Sequence, residues 1–163
     1  MKRLWAPWRM AYIDQDTREE GCILCNKAKE NDPRAALVLA RTAHTLVMLN
    51  KYPYNNGHLL IAPRRHERNL SDLSLQEYAD FNEALRRSVA IVHEALKPGG
   101  INLGMNLGKS AGAGIEDHLH WHIVPRWEGD TNFMPVLAET RVMAQHLLDS
   151  YDRLATYFTN FTL

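Results

Sequence analysis

His118-Leu119-His120-Trp121-His122-Ile123-Val124-Pro125 decides how this chain folds. Three histidines stand at alternate positions. In a β-strand residues i, i+2 and i+4 share one face, so the three imidazoles project into one space while Leu119, Trp121 and Ile123 form the opposite, buried face. On a helix the middle histidine would point away from the other two, so the spacing itself argues for β structure. A row of imidazoles costs packing and side-chain entropy, and chemistry is the reason to carry it.

Neutral imidazole is nucleophilic, titrates near neutrality, and donates from one ring nitrogen while the other reacts. Two kinds of reaction fit: metal-assisted hydrolysis, and attack on phosphorus through a covalent phospho-imidazole. Metal ligands must converge on one point, whereas alternate strand residues stand roughly 6.5 to 7 Å apart at their backbones. The nearby carboxylates are Glu116 and Asp117. The stretch upstream gives phosphorus more support. In Asn106-Leu107-Gly108-Lys109-Ser110-Ala111-Gly112-Ala113-Gly114, glycines and small residues let backbone N–H groups approach an anion, and Lys109 adds positive charge. It has neither the spacing nor the following helix of a Walker loop or a dinucleotide fingerprint. A phosphate held there sits beside the histidines.

Outward from these motifs the organisation is plain. Residues 21–30 predict a short helix ended by Asn31-Asp32-Pro33. Residues 37–40, 44–49 and 58–62 read as strands separated by turn signals, the longest being Pro53-Tyr54-Asn55-Asn56-Gly57. Ser74 and Glu77 form a capping box that starts a long helix. Its stripe is Tyr78, Phe81, Leu85, Val89, Val92 and Leu96, and it ends at Pro98-Gly99. Residues 101–107 and 119–124 give two more strands, and 141–158 a final helix. His93, His146 and His44 read as solvated or core-edge residues. The expected fold is α+β: an antiparallel sheet of about five strands, the long helix packed on one face.

The histidine row, with Asn50…Gly57-His58 and Asn106-x-Gly108 upstream, resembles the signature of the histidine-triad superfamily. The resemblance runs from about residue 22 to 132. Leu49-Asn50-Lys51-Tyr52-Pro53-Tyr54-Asn55-Asn56-Gly57-His58, the Ser110-Ala111-Gly112 loop and Pro125-Arg126-Trp127, with Gly129-Asp130 and Asn132-Phe133, are similar to the fragile-histidine-triad branch and its bacterial diadenosine tetraphosphate phosphorylases and hydrolases. The resemblance implies that His120 attacks the α-phosphorus of a dinucleoside polyphosphate, with water or phosphate as the acceptor. It implies that His122 and His58 hold phosphate oxygens or orient imidazoles, that Asn50 bonds the ribose hydroxyls, and that Asn106 contacts the phosphates. Gly108, Lys109, Gly112 and Gly114 would supply the phosphate cradle. Many relatives carry Gln-Ser or Gln-Thr where this chain has Ala113-Gly114, so backbone amides or Lys109 must replace those side chains. The same intermediate would serve a purine nucleoside phosphoramidase, and a nucleotide-binding sensor with incidental activity is the other class. The resemblance also implies a homodimer with a sheet continuous across the two-fold axis.

Cys22-Ile23-Leu24-Cys25 is the second motif. Two cysteines at this spacing, in a reducing compartment, favour metal or redox chemistry over a structural disulfide. A tetrahedral zinc site would need two histidines besides. Some histidine-triad relatives place them after the second strand and at the first triad position, which implies His66 and His118 here and a structural zinc. The cysteines by themselves also read as buried thiols at a helix start.

A chain of 163 residues, 45% of them hydrophobic, is expected to form one domain: an N-terminal arm over 1–20, a core over 21–135 and a C-terminal helix over 136–163. Nineteen basic and nineteen acidic residues cancel, so no global field draws nucleic acid or membrane, and attraction for an anionic substrate must be local. The N-terminus has no long apolar stretch, which leads to the expectation of a soluble cytoplasmic protein. Trp5 and Trp8 in the arm are expected to pack on the body or on a partner subunit.

Overall fold

The computed structural model describes residues 20–130 and 145–162. Five strands form one antiparallel sheet: β1 (Val38–Arg41), β2 (Thr45–Leu49), β3 (Leu59–Pro63), β4 (Gly100–Met105) and β5 (Trp121–Arg126), in the spatial order β1-β2-β3-β5-β4. Among the described residues three helices accompany them: α1 (Ile23–Lys29), the long α2 (Leu75–Leu96) and α3 (Leu147–Ala155). This is the α+β arrangement expected from the sequence. Trp5, Trp8, Asn132 and Phe133 lie outside the described residues. No described helix is long and apolar enough to cross a membrane.

The histidine strand begins two residues later than its alternation suggested. β5 pairs with β3 only from Ile61↔Trp121 onward. His118 and Leu119 approach it as chain held differently: the Leu119 N–H donates to the Glu67 carbonyl at 2.7 Å, and Pro63 gives its carbonyl to the His118 ring at 2.8 Å. The alternation survives all the same. Leu119 and Ile123 are buried in the core beneath α2, and the histidines face the other way.

β2 and β3 are buried on both faces, which explains the apolar runs 46–49 and 59–62 within them. Val47, Leu49, Leu59 and Ile61 pack with Phe81, Ala84 and Val92 of α2. Leu46, Met48, Leu60 and Ala62 pack on the opposite side with Leu24 of α1, Ala36 and Val38. The sequence led us to expect a helix on one face; the second face is covered by α1 and the segment leading into β1.

The capping box of α2 is present in both directions, Glu77 N–H to Ser74 Oγ at 3.2 Å and Ser74 N–H to Glu77 Oε2 at 2.8 Å. The helix stops at Lys97, which takes the left-handed conformation (φ 49°) just before Pro98-Gly99. Its buried stripe is centred differently from the expected one. Tyr78 is 45% exposed, while Ala84, Ser88 and Ala95 join Phe81, Val92 and Leu96 inside. These small residues lie on the face turned to the sheet, and Tyr78 lies at its margin, toward solvent.

The final helix is shorter than the periodicity predicted: α3 starts at Leu147, and residues 141–144 lie outside the described ones. His146 is its N-cap, its Nδ1 accepting from the Leu148 N–H at 3.3 Å, rather than a residue within the helix. His93 is exposed, as expected. Tyr151, Leu154, Phe158 and Phe161 bury α3 and the turn after it in the α2-side core. The Tyr151 hydroxyl donates to the Val38 carbonyl at 2.9 Å, and Arg34 grips Asp152 with two bonds of 2.8 and 2.9 Å.

Candidate active site

On the face away from α2, Met48, Leu60, His122 and Gly104 form one row across four strands, set by the pairings Met48↔Leu60, Leu60↔His122 and Gly104↔His122. A cavity of about 280 Å³ opens over this row. Asn50, Asn106, Gly114, His120 and His122 contribute polar atoms to its lining. The remainder is largely apolar, from α1 (Ile23, Leu24), the segment before β1 (Ala35, Ala36, Leu37), and Ile115, Leu147 and Leu148. A polar end joined to an apolar slot is the form a small-molecule site takes.

His120 is 4% exposed. Its Nδ1 donates to the His118 carbonyl at 2.8 Å, because a carbonyl can only accept. The proton therefore sits on Nδ1, and Nε2 keeps its lone pair. Burial lowers the His120 pKa below the ordinary imidazole value, partly opposed by that carbonyl. Burial thus favours the neutral ring, the form in which an imidazole nitrogen is nucleophilic.

His58 and His122 are likewise fixed by their surroundings. The Tyr54 N–H donates to His58 Nδ1 at 3.0 Å, which puts the His58 proton on Nε2. That Nε2–H faces His122 Nδ1 at 3.0 Å, so His122 carries its own proton on Nε2. His58 is fully buried and does not line the cavity; His122 does. The Tyr54 ring stacks on His122 with centroids 5.7 Å apart and planes 26° apart. Asn50 lines the cavity while its Oδ1 accepts from the Tyr52 N–H at 2.9 Å and its Nδ2 lies 3.3 Å from His58 Nδ1.

The glycine loop divides. Gly114 and Asn106 reach the cavity, whereas Gly108, Lys109 and Gly112 are not among its lining residues. Gly108 and Gly112 take positive φ (81° and 86°) and bracket a single 3-10 turn, a conformation glycine adopts without strain.

His118 does not join the other two imidazoles. It is almost fully buried, with Nε2 donating to the Pro63 carbonyl and Nδ1 turned to Cys22 Sγ at 3.2 Å and Cys25 Sγ at 3.5 Å. His66 Nδ1 lies 3.4 Å from Cys25 Sγ, and the four ligand atoms fall within 4.8 Å of one another. Tetrahedral zinc with ordinary bond lengths separates sulfur from nitrogen ligands by roughly 3.6 Å, close to the three sulfur–nitrogen separations here, so the four residues could hold one ion. Fixing the tautomer of a ligand histidine by a carbonyl on its far nitrogen is the usual outer support of such a site. Burial, with Cys22 alongside, pushes the Cys25 thiol up to about 11; a cation there would reverse the preference and hold it as thiolate.

Sequence reasoning missed the apolar wall and Tyr54. The signal for the wall was present: runs as uniformly apolar as 46–49 and 59–62 need cover on both faces. Nothing local in the sequence announced Tyr54, whose role depends on the turn that brings it over His122.

A family model described as "HIT domain" matches residues 32–129. The chain is 35% identical to a Mycobacterium tuberculosis AP-4-A phosphorylase over 96% of its own length and 84% of that protein. It is 32% identical to the adenosine 5'-monophosphoramidase hnt1 of Schizosaccharomyces pombe, over 64% of this chain and 74% of that one. Among solved structures, a zinc-bound histidine triad family protein from Mycobacterium smegmatis superposes with a TM-score of 0.67 at 24% identity, over 85% of this chain and 93% of that one, a likeness of fold.

Proposed function

Because the chain belongs to the HIT domain family, we propose that it is an enzyme that cleaves dinucleoside polyphosphates at the α-phosphorus, with His120 as the nucleophile. The observation that carries this reading is the setting of His120: a buried imidazole whose Nδ1–H is tied to a carbonyl, leaving the Nε2 lone pair on a ring that lines the cavity. The long match to an AP-4-A phosphorylase supports the substrate class.

In the first step Nε2 forms a bond to the α-phosphorus, and the bond from that phosphorus to the bridging oxygen breaks, releasing a nucleoside polyphosphate. The Nε2–H of His122 is the donor for a phosphate oxygen, and His58 behind it keeps that proton in place. The proton shared by Nδ1 of His120 and the His118 carbonyl stabilises the imidazolium that forms. In the second step an oxygen of water or inorganic phosphate attacks the phosphorus and the N–P bond breaks, restoring neutral His120. Water gives a hydrolase and phosphate a phosphorylase. Asn50 contacts the ribose hydroxyls, and Asn106 with the Gly114 backbone contacts the phosphates.

Cys22, Cys25, His66 and His118 hold a structural zinc in this reading, supported by the ligand separations. Filled by four protein ligands, it supplies fold stability and takes no part in the reaction. The protein acts as a homodimer joined at β4, an edge strand that leaves Leu103 half exposed with Leu107 exposed beyond it. It works in the cytoplasm, where the cysteines stay reduced. The test is to incubate the protein with diadenosine polyphosphates and with an adenosine phosphoramidate, with and without phosphate. A mononucleotide from the dinucleotides supports the reading; cleavage of the phosphoramidate alone would replace it.

A further inference from the structure

A second, open cavity of about 640 Å³ shares no lining residue with the first. Lys29 at the end of α1, His44 just before β2, and Arg64 and Arg65 just after β3 bring cationic or donor groups to it. Glu77 of α2 is the one acid among the residues that line it. Arg65 and Glu77 answer each other: Nε and Nη2 of Arg65 donate to the two Glu77 oxygens at 2.7 and 3.2 Å. Lys29 and Arg64 are left over. Among the described residues the Lys29 ammonium makes no hydrogen bond or ion pair.

Arg64 is held in place by one corner only. Its Nη1 donates to the Thr42 carbonyl at 2.9 Å, and the Thr42 hydroxyl donates to Asp80 at 2.6 Å. Its Nε and Nη2 meet no acceptor among the described residues, so one edge of a positioned guanidinium fork stays open. The Arg64 N–H donates to the His44 carbonyl at 2.7 Å, which sets the two residues side by side at the end of the β2–β3 ladder. Lys29 is not needed to cap α1. Arg41 already donates to the carbonyls of Lys27, Ala28 and Glu30 at 3.2, 3.1 and 2.9 Å. Cys25 and His66 also line the cavity, but their ligand atoms belong to the four-residue cluster. Ala28 and Ala43 line it as well, and are too small to fill it. The chain as a whole carries no net charge, so two unanswered cations and an imidazole around one concavity are a local feature.

We propose that Lys29, His44 and Arg64 form a second anion site, separate from the cavity that holds His120, and that it takes a phosphate group, either inorganic phosphate or the end of a phosphate monoester. A flat carboxylate uses one fork, whereas a tetrahedral dianion offers oxygens to donors from three separate elements. The same helix serves both cavities, with Ile23, Leu24 and Lys27 in the first and Lys29 in the second. A phosphate bridging Lys29 to Arg64 ties the end of α1 to the end of the β2–β3 ladder. The inference does not rest on the chemistry at His120.

The test is a site-resolved titration of the full chain by amide NMR, with inorganic phosphate and with methyl phosphate, at an ionic strength held constant with chloride. Amide signals of Lys29, His44 and Arg64 should shift saturably, with a Kd on the order of 1 mM. Whichever of the two phosphates binds more tightly names the source. Lys29→Gln and Arg64→Gln should each weaken this binding roughly tenfold, with melting temperatures near that of the wild type and the signals of Asn106 and His122 behaving as in the wild type. Arg64→Lys keeps the charge but not the fork and should lose less than Arg64→Gln. Shifts that do not saturate and that chloride reproduces overturn the proposal, as does affinity unchanged in both glutamine variants. Acetate bound as tightly as phosphate overturns the choice of a tetrahedral anion, and shifts confined to Asn106 and His122 overturn the second site.

Discussion

The backbone carbonyl of His118 accepts the Nδ1–H of His120 at 2.8 Å, so the residue whose ring turns to the cysteines also fixes the tautomer of the ring in the cavity. The Cys22-Cys25-His66-His118 cluster and the imidazole in the cavity are therefore joined through one residue's main chain.

The first expectation concerns that cluster. Protein purified without chelator should carry about one equivalent of zinc per chain, and chelation or Cys22→Ser should lower the melting temperature, because binding energy at a structural site is folding energy. Activity should fall only as far as the His118 main chain loosens. Metal analysis and thermal melts decide it. Less than about a tenth of an equivalent, with Cys22→Ser as stable as the wild type, would make the cysteines ordinary buried thiols.

A second concerns His58, which acts through another side chain. His58→Phe keeps an aromatic ring in a fully buried position but leaves the Tyr54 N–H without its acceptor and frees His122 to turn. Stability should drop by about 1 to 3 kcal/mol and kcat by roughly 10- to 100-fold, with KM changing less. A kcat within twofold of the wild type would remove His58 from the chain of fixed tautomers.

Asn50 gives a third. Asn50→Ala should weaken ribonucleotide binding by roughly 1 to 3 kcal/mol, and a 2',3'-dideoxy substrate should lose much of the difference between wild type and variant. The Asn50 carboxamide also accepts the Tyr52 N–H, so a modest loss of stability should accompany it. Equal affinity of the wild type for ribo and dideoxy substrates would rule out the ribose contact.

Gly57 gives a fourth, on the turn that delivers His58. It sits at φ 70°, where a side chain is strained, and a Cβ there would meet Leu96 Cδ1 and, at 3.6 Å, Pro125 Cγ. Gly57→Ala should cost at least about 1 to 2 kcal/mol for the left-handed backbone alone. Denaturant unfolding measures it, and an unchanged midpoint would mean that the turn rearranges freely.

Much of this molecule was legible in its sequence because it rests on local rules. Period-two alternation separated Leu119 and Ile123 from the histidines, and the Ser74–Glu77 capping box started α2 where it begins. The Cys22-x-x-Cys25 spacing and the family resemblance together pointed to the four-residue cluster with His66 and His118. What was hidden depends on distant parts of the chain. Tyr78 fitted the helical stripe yet faces solvent, while Ala84 and Ser88 take the buried face of α2. Leu147 and Leu148 carry no motif, and only the packing of α3 against β1 through Tyr151 brings them to the cavity.

The covalent step at His120 is the central claim, and intact-protein mass after brief mixing with diadenosine tetraphosphate tests it most directly. Wild type should show a species heavier by one adenylyl group that disappears as product accumulates. His120→Ala should show none, and should lose activity by on the order of 10³-fold or more while still binding AMP. An adduct of the same mass on His120→Ala, or a variant that keeps a tenth of wild-type turnover, would contradict it and move the nucleophile to another residue.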